Sequence, residues 1–399
     1  MKKMFVFGAA LFAGSLLISC NNASDNSNQI SYKSADEMRE NAIELQEARK
    51  LSNPGKIYVK DDMILINEMG KGIHLVYNEN PQDPKKVGFI KIPGNIDVAV
   101  KGDIVYADNY MDLVALNTKT GEIKRVKNAF KTFEKERREQ LLAMNNGAEP
   151  MGMGMKGTQF QAVSHGSAAG GGNPAGAGVG GSMARFTIVD NNLYELDGNK
   201  MVVYDITDEE NPKRVNEIPM DFAVETIFPH EGQLFIGGTE GMYIYDNTDP
   251  ANPRFLSKFE HAVACDPVVV AGNHAYVTLR SGGPCDRAIN QLDVVDISDI
   301  KNPTLVKNYQ MHNPHGLSVQ ENTLFLCDGN QGLKVFDVTN KGMILDNLKF
   351  ADRNIRKAYD VIPNPDNGTL IVVGKEGIFQ YDAMDPNNLE RISEITIEA

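Results

Sequence analysis

The chain of 399 residues can hold one large core or two or three ordinary ones, and its 42% hydrophobic and 23% charged residues exclude disorder throughout. It has 36 Gly, 18 Pro and no Trp, and a formal charge of −13 at pH 7 that argues against nucleic acid or anionic lipid headgroups as the main partner.

The first twenty residues read as an export signal. Lys2 and Lys3 form its charged end, residues 4–17 its apolar run, and Leu17-Ile18-Ser19-Cys20 its processing site. The run falls short of the ~20 residues a membrane-spanning helix needs. The ending resembles a bacterial lipobox, which implies that residues 1–19 are a lipoprotein signal peptide and that Cys20 carries the lipid. Each buried acyl methylene contributes roughly 0.8 kcal/mol, so several chains on one Cys anchor a protein durably. The expected location is the cell envelope, extracytoplasmic and lipid-anchored, at the outer membrane. Cleavage removes two lysines and no acid, leaving a formal charge of −15.

Residues 20–34 are small and polar and read as a tether. Residues 35–56 read as a helix and linker. Ser34 and Glu37 make a capping box, Met38, Ala42, Ile43, Leu45 and Ala48 share one helical face, and Asn53-Pro54-Gly55 ends it. The helix is expected to pack outside the main domain, with residues 30–32 as an added edge strand.

From residue 57 the hydrophobic period becomes two. Seven units of four short strands, lettered a to d, follow at 57–93, 97–130, 186–220, 224–260, 266–311, 316–353 and 358–398. Asp205 and Asp246 stand 41 residues apart, as do Asp296 and Asp337, matching the roughly 40 to 45 of a propeller blade. One such unit cannot bury both its faces, so the units must stack around an axis. The predicted fold is all-β, a seven-bladed β-propeller spanning 57–399. The phrases MVVYDIT, LDVVDIS and LKVFDVT, followed by Asp or Asn and often by Asn-Pro, resemble LVIVD repeats, which implies propeller architecture in an exported protein but no single activity. The Asp ending each strand c, at 205, 246, 296, 337 and 382, is expected to cap the following turn.

An insertion at 131–183 interrupts the second and third units. Its first part reads as a helix, with Phe130, Phe133, Leu141 and Met144 in a stripe, Glu134 placed to pair Arg138, and Gly147 as the stop. The rest is Gly- and Met-rich, and is expected to be mobile.

In a propeller the d-to-a and b-to-c connections share one face, and on it fall the candidate ligand-binding residues His261, Asp266, Arg287, His312, His315, Arg353 and Arg356. Arg280, Cys285 and Asp286 fall there too. Cys265 and Cys285 lie in adjacent connections, and an extracytoplasmic compartment favours a disulfide between them over two unpaired thiols. Cys327 follows apolar strand residues and reads as core. His312 and His315 with His261 or Asp266 would make an open three-ligand metal site, and Met151, Met153 and Met155 with His165 a soft-metal one, but spacing alone supports neither, and no cofactor is expected. Arg353, Arg356 and Arg287 with His315 would clamp a carboxylate, sulfate or sugar acid; the alternative is that they balance Asp328, Asp352 and Asp360. No complete catalytic arrangement is visible. The functional expectation is a binding module for a protein or carbohydrate, with a propeller enzyme, a lyase or hydrolase, or a metal-binding protein as the alternative.

Overall fold

The computed structural model describes residue 39 and residues 43–130, 180–182, 184–261, 267–280, 289–364 and 366–397. The export signal with Cys20, most of the predicted N-terminal helix, the helical and Met-rich parts of the insertion, and Cys265, Asp266, Cys285, Asp286 and Arg287 lie outside the described residues.

Seven antiparallel sheets follow one another along the chain, each with its strands in sequence order a-b-c-d. Blade one comprises Pro54–Lys60, Met63–Glu68, Gly72–Tyr77 and Lys85–Lys91; blade two, Val98–Lys101, Ile104–Asn109, Asp112–Asn117 and Ile123–Val126. Blade three comprises Phe186–Val189, Asn192–Leu196, Lys200–Asp205 and Lys213–Pro219; blade four, Val224–His230, Gln233–Gly238, Gly241–Asp246 and Arg254–Glu260. Blade five comprises Val268–Ala271, His274–Leu279, Gln291–Asp296 and Thr304–Gln310. Blade six comprises Leu317–Gln320, Thr323–Cys327, Leu333–Asp337 and Leu348–Asp352; blade seven, Asp360–Asn364, Thr369–Gly374, Gly377–Asp382 and Glu390–Thr396. The a strands of successive blades adjoin one another and surround the axis. The seven-bladed all-β propeller read from the repeats is thus the fold, and its blades begin within a few residues of the predicted positions.

Burial explains why only some strands alternate. Strand b of blade two and strand b of blade seven are buried along their whole length, because neighbouring blades cover both faces, whereas strand d of blade three alternates between exposed and half-buried. Each core lies between blades: Leu193, Val202 and Tyr204 of blade three pack with Val105 and Leu113 of blade two. A fully buried side chain of this kind contributes about 1.5–3 kcal/mol, so the interblade cores dominate stability.

The strand-turn phrase serves the scaffold. The Oδ1 atoms of Asp205, Asp246, Asp296, Asp337 and Asp382 accept the backbone N–H two residues on, at 2.8–3.0 Å. Hydrogen bonds from the side chains and then the backbone N–H groups of Thr207, Ser298 and Thr339 hold the carboxyls of Asp205 and Asp296 below the usual range and that of Asp337 at about 2, and the backbone N–H and then the side chain of Thr248 lower that of Asp246. Carbonyls of the same turns tie blade to blade: the Tyr106 hydroxyl donates to Glu209 O at 2.7 Å, the Tyr194 hydroxyl to Pro250 O at 2.9 Å, and Asn216 Nδ2 to Ala251 O at 3.0 Å. The ring closes in the same way, Ser393 Oγ donating to Pro81 O, while the amides of Asn78 and Gln380 bond reciprocally at 2.8 Å across blades one and seven.

A glycine opens strand c in blades four and seven where the backbone of strand d comes close. A Cβ on Gly241, at φ 159°, would stand 2.4 Å from Phe259 O, and one on Gly377, at φ 148°, 2.1 Å from Ile395 O. Gly241→Ala is expected to cost about 1–3 kcal/mol in denaturant unfolding, whereas Gly232→Ala, whose Cβ would meet nothing within 4 Å, bears only its left-handed backbone strain.

From Ile43 onward the N-terminal arm departs from its predicted helix, while Arg39 is helical. Glu44–Gln46 is a strand that extends blade one to five strands, pairing Glu44 with Lys91, Leu45 with Ile90 and Gln46 with Phe89. Leu45, assigned by periodicity to an apolar helix face, is 57% exposed. Strand d of blade one has an unpaired backbone edge, and satisfying that edge outweighs weak helix propensity. The added edge strand therefore comes from 44–46; residues 30–32 lie outside the described residues. Residues 54–56 belong to strand a rather than to a linker.

Candidate functional site

The d-to-a face carries most of the buried charge, and much of it is structural. Asp108 Oδ1 accepts the N–H groups of Ile96 and Asp97 at 2.7 and 2.9 Å, and Asp328 Oδ1 accepts those of His312 and Asn313 at 3.0 and 2.8 Å. In blades two and six alike, an Asp at the end of strand b or just past it thus secures the connection entering strand a. Asp97 joins the Lys56 ammonium of blade one and accepts the Arg185 N–H at 2.8 Å, so one carboxylate links three blades at the channel. Over blades one and two lies the N-terminal arm, where Arg39 makes a two-point contact with Asp112 at 2.8 and 2.9 Å, and Arg49, Ser52, Lys71 and His74 converge on Glu68.

The end of the insertion enters the channel. Gly180 lies against the Tyr58 ring of blade one, Ser182 Oγ accepts the Leu317 N–H of blade six at 3.2 Å, and Ala184 O accepts the Ile227 N–H of blade four at 3.0 Å. Contacts with three a strands place this segment inside the ring, and Gly181 and Ser182 are buried. The Gly-rich tail was expected to be mobile to Gly181. Its last glycines are packed instead, because residues without side chains fit the narrow mouth between a strands.

The candidate residues that are described do not converge as one clamp. Arg353 is exposed, and Arg356 is exposed and paired with Glu376. His312 is 67% exposed, with Nδ1 3.4 Å from an Asp328 already bonded to Lys334 and two backbone N–H groups. His315 turns inward, where Asn313 Nδ2 lies 3.1 Å from its Nε2, and its pKa is pushed to about 3 by burial and then by the Arg280 charge. His261 lies by blade five, where its charge opposes the rise that burial gives Asp293. No three His, Cys, Asp or Glu side chains among the described residues are grouped to hold a metal, so His312, His315 and His261 do not form the three-ligand arrangement. Cys327 is a free, buried thiol in the core between blades six and seven.

Two features were given no role in the sequence. One is Arg280, which strand counting placed on this face: it is the cation beside His315, and it continues the alternation of Tyr276 and Thr278 past the end of strand b. The other is a cavity of 730 Å³ on the opposite face, between His230, the turn 271–274, the turn 320–322 and Lys341. Burial and then the Lys341 charge lower the His274 pKa, and burial lowers that of Lys341 itself. Sequence reading assigned this face to scaffold because only the ring brings turns of blades four, five and six together.

Fold and site together define a β-propeller with residues 180 and 182 of its own chain held against a strands at the d-to-a end. The LVIVD-repeat family model matches residues 264–311, which span blade five, so the protein is a seven-bladed propeller carrying an LVIVD repeat. No curated protein matches the chain. Among solved structures it is similar to a candidate 6-phosphogluconolactonase from Bacteroides fragilis, at TM-score 0.55 and 12% identity over 86% of this chain and 96% of that one. It is also similar to a protein from Lactobacillus plantarum (TM-score 0.56, 11% identity, 86% and 96% covered) and to the computationally designed Ika8 protein (0.52, 11%, 87% and 89%). Identities this low speak to fold alone.

Proposed function

We propose that the protein is a lipid-anchored, extracytoplasmic propeller that docks a protein or carbohydrate partner on its d-to-a face. The observation that carries this reading is the filled channel mouth. With residues 180–182 and 184 seated between the a strands, that end offers a broad rim of connections, a shape suited to a macromolecule. The assignment of Asp97, Asp108, Asp112 and Asp328 to scaffold contacts also favours binding over acid–base chemistry. A second reading, a small-molecule site or an enzyme, is supported by the opposite cavity, whose 730 Å³ lies in the range of ~300–1,000 Å³ usual for ligand pockets.

One experiment addresses both readings and the anchor. Intact cells expressing the full chain are fractionated, and the purified protein is screened against envelope polysaccharides, envelope proteins and a substrate panel. Cys20→Ala is expected to release the protein from the membrane fraction, and Arg353→Ala with His315→Ala to weaken partner binding at least tenfold. Turnover lost in His274→Ala with Lys341→Ala, with partner binding absent, would replace docking by catalysis.

A further inference from the structure

We propose that Arg280 and His315 form an oxyanion site at the junction of blades five and six, built to take a carboxylate. Arg280 follows strand b of blade five and is 8% exposed, yet it has no ion pair or hydrogen bond among the described residues, and its Nε is enclosed without an acceptor. His315 comes from the connection entering blade six and is fixed there by Thr278, whose Oγ1 donates to His315 O at 2.7 Å. Thr278 and Arg280 stand two residues apart on one extended segment, so they project from the same side, toward His315.

The hydrogen-bond inventory of the pair is one-sided. Asn313 Nδ2 lies 3.1 Å from His315 Nε2 and donates to it, which leaves the ring proton on Nδ1, itself enclosed and without an acceptor. The junction thus holds two N–H donors and one cation, with no acceptor for either donor among the described residues. Two carboxylates lie nearby: Asp328 is committed to Lys334 and to the N–H groups of His312 and Asn313, and Asp360, against Gly316, accepts the Val361 N–H at 2.7 Å. Lys334 is paired with Asp328, and Arg280 is bonded to neither carboxylate.

Buried polar groups are almost always paired, and a guanidinium presents its N–H groups in a fork that fits a carboxylate. A carboxylate here would accept from Arg280 Nε and His315 Nδ1 and cancel the residual charge. Because burial keeps His315 neutral at neutral pH, the Arg280–His315 pair carries a single positive charge, which suits a monoanion. This inference does not depend on the docking reading, since the site would serve a binding module or an enzyme equally.

The test is calorimetric titration of the purified full chain at constant ionic strength, with chloride as background and with acetate, glucuronate and N-acetyl-dialanine as probes. Binding of at least one carboxylate is expected, weakened tenfold or more by Arg280→Met and less by Arg280→Lys. A preference for glucuronate identifies an acidic sugar as the source, a preference for N-acetyl-dialanine a peptide C terminus, and equal binding the bare carboxylate. Without anion, Arg280→Met should raise Tm by about 2 °C, because an apolar chain of similar length replaces an unpaired buried charge. No binding beyond chloride, unchanged binding in Arg280→Met, or a lower Tm for that variant would overturn the site.

Discussion

Glu68→Ala is expected to destabilise the protein by about 3–5 kcal/mol, the cost of removing one partner from a buried charged network. Glu68 is buried at the end of strand b of blade one and receives Arg49 at 2.9 Å, Lys71 at 2.7 Å, His74 at 2.7 Å and the Ser52 hydroxyl. Two of these donors lie on the N-terminal arm, which also lays Leu51 into the core shared by blades one and seven and Arg49 over the Phe89 ring at 3.5 Å. Loss of the carboxylate therefore strips the arm from the ring and leaves the His74 imidazole buried. Denaturant unfolding measures the cost, and proteolysis should cut within residues 43–53 of the variant well before the blades. A loss below about 1 kcal/mol would show that the arm is held by its strand pairing with blade one instead.

The same residue gives a pH signature. Burial by itself would raise the Glu68 pKa, but hydrogen bonds from His74, Lys71, Ser52 and Arg49 overcome it and hold the carboxyl far below its ordinary 4.5. A folded-state pKa below the unfolded one means that the unfolded chain takes up the proton first. The contribution is complete above about pH 4.5 and is lost progressively as pH falls toward the folded value. The stability gap between wild type and Glu68→Ala should accordingly be constant near neutrality and shrink below pH 4.5.

Asp97→Ala should cost a similar 3–5 kcal/mol, because it leaves the Lys56 ammonium, 5% exposed, without its counterion and the Arg185 N–H without its acceptor. Burial pulls the Lys56 pKa down, and the Asp97 charge is the largest influence opposing it. Lys56→Met combined with Asp97→Leu removes the charge with its partner, and should recover much of the loss. A double-mutant cycle measures the coupling. Additive losses from the two single changes would mean that the pair does not act as the link between blades one, two and three.

Much of this architecture was legible in the chain because it repeats. An Asp two residues before a turn N–H makes the same local bond in five blades, so its spacing alone reported both the blade length and the capping role. The candidate site was legible only as a face. Counting strands placed His312, His315 and Arg280 at the same end of the ring, but it could not say that His312 turns outward, that Asp328 is spent on backbone N–H groups, or that Arg356 finds Glu376. Those outcomes depend on side chains from connections far apart in sequence.

The N-terminal arm marks the boundary between the two kinds of information. Residues 34–48 carry a helical pattern, and local propensity is all that sequence can weigh there; the free edge of Lys85–Lys91 exists only once blade one has formed, and it draws Glu44–Gln46 into a strand. By itself the sequence determined the number of blades, their strands and the turns that end them, since these rest on contacts within about forty residues. Only the closed ring decided which charges are paired, how residues 180–182 and 184 sit between the a strands, and where Arg280 is left without a partner among the described residues, because those follow from a packing that brings distant blades to a common axis.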